Sequence, residues 1–405
     1  MTSEQDINKV SLEVDGKIYD GWKSVVISSG IDQICRSFAV EITDNFPGNL
    51  EKFTRLRSGQ SVVVKIGTDT VCTGYITSTP ISYDAKSVTV QVQGKSKTVD
   101  LVDCCSPWAA IASSKEHTDT SNSDSWKDVD PGKNSVQTVS VSKKVSVSWH
   151  NQSTQKIIAD LCAPYGITVK CQSDIGNKYT NFTVNPGETV VESISRLLVK
   201  DNLIVTDDAF GNLVITEPGK AGDCEDALVT GENVLSASAN FDVSKIYSTY
   251  AVVGQHKGSD LDFGKQASQD KGIAIDQNVD RYRLLVIKDT GQSSVGMTKS
   301  RADFERSYRS AQFSESTHTI QGWRQSSKKL WEINKIVRLI DNILGFSSKK
   351  SQLIKQLSYN LSPSGTTCSI TTIPPEGYSR GESNKNPKSQ TEQKSSSSGS
   401  WADVK

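Results

Sequence analysis

Ser61-Val-Val-Val-Lys-Ile66, then Gly74 to Tyr83, then Ser87-Val-Thr-Val-Gln-Val-Gln93 form a run of strand, turn, long strand ending in Tyr, turn, strand. Late in the chain Lys335-Ile-Val-Arg-Leu339, then Gln352 to Tyr359, then Thr366 to Thr372 read the same way. Val62, Val64 and Ile66 alternate with other residues, as do Val88, Val90 and Val92. A period of two is that of a strand with one face in a core. The recurrence is either a true internal duplication or the general likeness of one β meander to another.

Nearer the N-terminus, Val10, Leu12 and Val14 alternate before an Asp15-Gly16 turn. Val25 and Ile27 follow, then Phe38, Val40 and Ile42, then Val71 to Tyr75. Six or so short strands over 9–103, separated by Gly, Asp and Pro turns, predict a barrel or sandwich. Over 154–217 the period changes. Ile157, Ile158, Leu161, Cys162 and Tyr165 share one helix face, with Thr154 to cap its start and Gly166 to end it. Val190, Val191, Ile194, Leu197 and Leu198 line a second helix, and Leu203–Thr206 with Leu213–Thr216 form a hairpin turning at Phe210-Gly211-Asn212. This is a small α/β unit. Strand alternation returns over 232–255, with Tyr247, Tyr250 and Val252. A helix is predicted from about Lys299 to Phe313, with Ser300 and Asp303 as a capping box. Strands resume from Thr317 to about Thr372.

The chain has 405 residues, enough for roughly three domains. Lys plus Arg and Asp plus Glu are 46 each, giving zero formal net charge. Tight sequence-independent binding to phosphate backbones needs a cationic surplus that is lacking here. No stretch approaches the ~18 apolar residues of a membrane span. Met1 to Asn8 lacks the layout of a signal peptide, so the expectation is a soluble protein made in the cytoplasm. The Ser-rich stretch 113–153 reads as a polar arm, with a hairpin within Val136–Val147. Its Asp124, Asp128, Asp130 and Gly132 depart from calcium-loop spacing.

No catalytic chemistry is predicted. His117, His150, His256 and His318 lie outside each other's local reach, so no metal site has sequence support. There is no G-x-S-x-G elbow. Gly258 to Lys265 has the wrong spacing for a phosphate loop, and Gln266 stands where Ser or Thr belongs. Paired carboxylates cannot be recognised by spacing, and no cofactor motif is present. The eight Cys contain no C-x-x-C. They are either buried thiols acting as small hydrophobes, or partly oxidised after release from the cell. On the second reading Cys162 and Cys171, flanking a short turn, are candidates to pair, and Cys104 or Cys105 to reach another chain. Phe182-Thr-Val-Asn-Pro-Gly-Glu-Thr-Val190 and the helix after it resemble the opening of LysM modules, which bind peptidoglycan. The plainer reading is a strand-to-helix turn with Pro near the helix start.

Four further segments occur in order. They are Ser37-Phe-Ala-Val-Glu-Ile-Thr-Asp-Asn-Phe-Pro-Gly48, Gly94-Lys-Ser-Lys-Thr-Val-Asp-Leu-Val-Asp-Cys104, Gly322-Trp-Arg-Gln-Ser-Ser-Lys-Lys-Leu-Trp-Glu-Ile-Asn334, and Gly365-Thr-Thr with Pro374-Pro-Glu-Gly-Tyr378. Together they resemble the baseplate hub proteins of contractile phage tails, the Mu-type hub family, related to the ring part of secretion-spike proteins. The polar arm is longer than that pattern, and Ile333 stands where Pro is common.

The resemblance implies a mainly β fold with α+β parts: two similar β-barrel domains and an inserted small α/β domain. The implied divisions are 1–103 for the first barrel, 104–153 for the arm, 154–217 for the α/β domain, and 218–255 with 314–378 for a discontinuous second barrel. A loop and helix insertion takes 256–313, and 379–405 is a disordered tail. The family further implies a non-enzymatic homotrimeric ring that adapts a sixfold tail tube to a threefold central spike. Its partners are the spike, the tail tube or tube initiator and the baseplate wedge, with transient DNA passage and no stable membrane insertion. The expected location is the virion baseplate, after assembly in the host cytoplasm. Trp323 and Trp331 are either core aromatics or subunit-interface anchors, and Arg324 is a candidate interface donor. The alternatives are a peptidoglycan-binding or -degrading tail-tip protein using 182–198, or the equivalent ring of a tailocin or secretion machine.

Overall fold

The computed structural model describes residues 7–45, 56–83, 87–107, 147–173, 175, 178–198, 203–255, 270–292 and 295–378. Most of the arm with its expected hairpin, the loop 256–269 and the tail 379–405 lie outside the described residues. The chain divides into two compact units. One takes Met1–Val199, Leu203–Ala239 and Glu315–Pro375, and the other Lys200–Asn202, Asn240–Ser314 and Glu376–Lys405.

The first unit begins with β1 (Val10–Val14), β2 (Lys17–Tyr19), β3 (Ser24–Gly30), β4 (Ser37–Asn45), β5 (Ser61–Ile66), β6 (Asp69–Ser78), β7 (Ile81–Tyr83), β8 (Ser87–Ser96) and the short helix α1 (Val99–Asp103). An α/β part follows: β9 (Ser148–Ser153), α2 (Thr154–Cys162), β10 (Val169–Cys171), β11 (Lys178–Thr183), α3 (Val190–Leu198), β12 (Ile204–Asp207) and β13 (Leu213–Thr216). Then come β14 (Leu228–Val229) and β15 (Val234–Ala239). The second unit holds β16 (Thr249–Gln255), β17 (Asp270–Ile275), β18 (Leu284–Gln292) and α4 (Val295–Phe313). The first unit is completed by β19 (Ser316–Gln321), β20 (Ile336–Asp341), β21 (Phe346–Ser362) and β22 (Gly365–Ile373).

The alternation predicted for β1 and β5 is realised. Val10, Leu12, Val14, Val62, Val64 and Ile66 are all buried. The strands join in one 14-stranded sheet of order β15-β19-β22-β21-β3-β4-β8-β6-β5-β1-β2, with β14, β20 and β7 attached beside it. Two stretches of this sheet have the same plan. In chain order, β1, β3, β4, β5, β6 and β8 lie as β3-β4-β8-β6-β5-β1, and β14, β15, β19, β20, β21 and β22 lie as β15-β19-β22-β21-β20-β14. Every corresponding pairing is antiparallel in both stretches, except that β1·β5 is antiparallel and β14·β20 parallel.

Two separate closed barrels were expected; neither half closes on itself among the described residues. The reason is β21. Its first part pairs with β20, and its second part, Gln356 to Leu361, pairs with β3. At about 3.3 Å per residue, a 17-residue strand is long enough to serve two neighbours. Its edge is used to join the halves rather than to close one of them. The two tyrosines of the repeat also differ in setting: Tyr83 is exposed at the end of β7, whereas Tyr359 is buried within β21.

Close approach of neighbouring atoms requires glycine at two places in the sheet. A Cβ on Gly94 would lie 2.3 Å from the ring of Phe38, its cross-strand partner, and one on Gly74 would lie 1.9 Å from the Lys95 carbonyl.

The α/β part packs α2 and α3 on two small sheets, β9·β11 and β10-β13-β12. Its core contains Trp149, Ile157, Ile158, Leu161, Phe182, Ile194 and Leu197. Ser153 caps α2 by accepting from the Lys156 N–H, one residue ahead of the expected Thr154, which is buried in the first turn. Thr189 and Glu192 form a reciprocal capping box on α3, at 3.2 and 2.8 Å. The polar strand β9 belongs to this part rather than to the arm. Only Trp149 of its six residues is fully buried, so its composition conceals its place.

In the second unit, α4 covers one face of the sheet β17-β16-β18, with Tyr250, Val252, Ala274 and Ala302 buried between them. A Cβ on Gly272 would meet the Thr298 backbone at 2.1 Å, so this glycine lets the helix sit directly on the sheet. β16 lies here, although its alternation grouped it with the second barrel. α4 begins at Val295, one turn before the expected start. Ser300 is therefore buried inside the helix and does not cap it. Asp303 instead pairs with Lys299 at 3.1 Å. No described helix is long and apolar enough to cross a membrane.

Candidate functional site

The segment Gly322 to Asn334, between β19 and β20, brings Trp323, Arg324 and Trp331 together. It folds back through a bridge between Arg324 and Leu330 and turns at Lys328 and Asn334, which have positive φ of 67° and 62°. Trp323 is completely buried. Its Nε1 donates to the carbonyls of Asn360 at 3.2 Å and Thr367 at 3.0 Å, and its ring meets Tyr359 edge-on with centroids 6.1 Å apart. Trp331 is 1% exposed and its Nε1 has no hydrogen-bond partner. The Tyr359 hydroxyl donates to the Trp331 carbonyl. Burial holds that phenol well above its usual pKa, so it remains a donor. Both indoles occupy the core of their own chain and present no surface to a neighbouring subunit.

Arg324 points toward the other half of the sheet. Its guanidinium donates to Asp69 Oδ2 and the Lys328 carbonyl at 2.7 Å each. It also reaches the carbonyls of Ile7 and Ile66 at 2.9 and 3.1 Å, and Asn8 Oδ1 at 3.1 Å. The fork geometry of arginine suits such convergent acceptors. The expected interface donor is thus engaged as a clamp within the chain.

A second clamp had no signal in the sequence. Arg36, at the entry to β4, donates from Nε to Asp207 Oδ1 at 3.0 Å and from its backbone to Oδ2 at 2.9 Å. Asp207 ends β12 and its side chain is 1% exposed. Burial raises its pKa against the opposing pull of the Arg36 charge. Thr206 Oγ1 adds bonds to the carbonyls of Gly30 and Gln33. A cavity of about 300 Å³ lies beside this clamp, lined in part by Arg36, Asp207, Asn334, Trp331 and Tyr359. Basic and acidic residues far apart in sequence give no local pattern, so this pair was legible only after folding.

Within the chain, Cys104, Cys105, Cys162 and Cys171 are not joined to one another. Cys162 is buried at the end of α2, where desolvation pushes its pKa up to about 12. Cys171 and Cys104 are partly buried, with raised pKa values that also arise mainly from desolvation, and Cys105 is exposed. His318 is buried, with Nε2 3.4 Å from Asp341 Oδ2. Phe182, Val184, Val190, Ile194 and Leu197, the apolar side chains of the LysM-like stretch, lie in the α/β core. Among the described residues no cluster of three metal-ligating side chains occurs.

Known proteins share this architecture. Three family models match successive parts of the chain: the N-terminal domain of Mu phage baseplate assembly protein GpP-like proteins over 9–96, the second domain of baseplate hub protein gp44-like proteins over 139–217, and the fourth domain of GpP over 294–381. The baseplate hub protein gp44 of Escherichia phage Mu is 29% identical over 340 residues, covering 82% of this chain and 79% of gp44. The chain belongs to the Mu gp44-like family of baseplate hub proteins. Its fold matches the 43 kDa tail protein of prophage MuSo2 from Shewanella oneidensis with TM-score 0.76 and 26% identity, over 92% of this chain and all of that one. A tail protein from Neisseria meningitidis MC58 matches with TM-score 0.67 and 17% identity, over 91% and 98% of the two chains. As a hub of Mu-like tails, the protein is a component of the virion tail baseplate.

Proposed function

We propose that this hub is a non-enzymatic homotrimeric ring that matches the sixfold tail tube to a threefold central spike. The observation that carries the reading is the strand path repeated twice in one chain. Three copies of a chain containing two like modules present six modules in quasi-sixfold array while keeping true threefold symmetry. Cyclic closure is the ordinary outcome of such heterologous contacts. The repeated modules act as the tube-like parts of the ring, and the spike, the tube or tube initiator and the baseplate wedge are its neighbours. The zero formal charge suits a channel through which DNA passes without being retained.

Light scattering on the purified protein tests this. The expected result is a stable species near three times the 44.1 kDa chain mass. A monomer at micromolar concentration, or peptidoglycan hydrolysis by the purified protein, would overturn it.

A further inference from the structure

We infer that the outer face of the sheet β17-β16-β18 is a docking surface for an amphipathic helix of another baseplate protein, one whose apolar stripe is flanked by carboxylates. The inference rests on the chain's place in the baseplate and does not need the threefold ring.

The registers of the three strands set out this face row by row. Ile275, Thr249 and Leu284 form one row, Ile273, Ala251 and Val286 the next, and Lys271, Val253 and Lys288 the third. The opposite face carries Ala274, Tyr250 and Leu285, then Gly272, Val252 and Ile287, and α4 lies on it. β17 thus places Gly and Ala beneath the helix and turns its two isoleucines outward. Ile273, Ile275, Leu284 and Val286 are between 44% and 60% exposed.

Such a face is not built for water. Exposed apolar side chains are ordinarily scattered singly, and contiguous ones mark contact sites. β16 and β18 run parallel, and parallel strands are ordinarily covered on both faces. Here α4 supplies one cover. Three strands spaced about 4.8 Å apart make a face about 10 Å across, which is the breadth of one helix.

The charge on the face says what the second cover carries. Among the described side chains of the three strands the charged ones are Lys271 and Lys288, both exposed and both in the row that ends the face. Neither has an ion-pair partner among the described residues. An apolar stripe laid along the isoleucines and Val286 therefore meets two cations at one end. Carboxylates beside that stripe answer them, steer the encounter and fix the direction in which the helix lies. The same face of a second copy offers lysines instead and lacks this complement.

The test uses the full chain and two fluorescein-labelled helical peptides, each with a leucine stripe, flanked in one by glutamates and in the other by lysines. Fluorescence anisotropy is expected to show binding of the glutamate peptide and not of the lysine peptide. Ile273→Ser with Val286→Ser should weaken that binding about tenfold or more. Lys271→Glu with Lys288→Glu should reverse the preference, with the circular dichroism of both variants retained. In assembled tails, a photo-activated p-benzoylphenylalanine in place of Val286 should cross-link to a different protein, through a peptide whose apolar residues at helical spacing are flanked by Asp or Glu. No binding of the glutamate peptide, equal binding of both peptides, indifference to these substitutions, or a cross-link confined to this chain or to a second copy would overturn the inference. The peptide assay does not depend on oligomeric state, so its result stands apart from the light-scattering result on the ring.

Discussion

Asp69 and Arg324 lie 255 positions apart in sequence, yet their side chains meet at 2.7 Å. The contact ties the β5–β6 turn of the first half-sheet to the β19–β20 loop of the second. The two partners are unequal, since the Arg324 side chain is 12% exposed and that of Asp69 48%. Arg324→Ala strands the carbonyls of Ile7 and Ile66 away from a donor, and about 2 kcal/mol of stability is expected to be lost. Asp69→Ala removes a half-exposed ion pair and is expected to cost under about 1 kcal/mol. Urea unfolding of the two variants checks this. Equal losses would mean that the ion pair, not the carbonyl bonds, does the holding.

The two tryptophans are expected to differ in their response to phenylalanine. Trp323 Nε1 serves two carbonyls, whereas Trp331 Nε1 serves none. Trp323→Phe therefore takes a donor from two partly buried carbonyls and should cost about 1 kcal/mol more than Trp331→Phe. Alanine at either site should cost about 3–5 kcal/mol through the cavity it leaves. Chemical denaturation of the four variants reads the order directly.

Acid should weaken the second half-sheet through His318. Burial lowers its pKa below 6.5, outweighing the attraction of Asp341. A group that resists protonation in the fold but accepts a proton when unfolded contributes fully above pH 6.5. That contribution falls as pH drops below 6.5, until the folded state also takes the proton. The measurement is unfolding free energy against pH for the wild type and His318→Gln. The wild type should show the steeper loss below pH 6.5, and identical slopes would exclude His318 as the cause.

Thiol reactivity should follow exposure. Cys105 is exposed, whereas burial pushes Cys72 and Cys162 to about 12 and raises Cys368 as well. Brief treatment of the native protein with a maleimide, followed by peptide mass spectrometry, should label Cys105 first and leave these three unmodified. A non-reducing peptide map should contain no Cys162–Cys171 link. Finding that link would show oxidation to be part of maturation.

The local elements were legible in the order of residues alone. Period-two valines placed the strands around Val62 and Val88, the apolar faces of 157–165 and 190–198 placed two helices, and Gly166 and Gly211 marked turns. Such signals are legible because each strand or helix writes its buried face at its own period. The motif from Gly322 to Asn334 likewise drew attention to residues that the fold uses.

Tertiary structure alone decided how those residues are used. Trp323 and Trp331 became core, and Arg324 reached Asp69, because the chain brings β19–β20 against the β5–β6 turn. Nothing in either stretch encodes that meeting. Arg36 and Asp207 were silent for the same reason, since a charge reveals its partner only when the backbone delivers it. The single sheet in place of two barrels was also undecidable from pattern. Alternation tells which face of β21 is buried, but a strand's edges are backbone groups common to all residues, so their partners are chosen by topology.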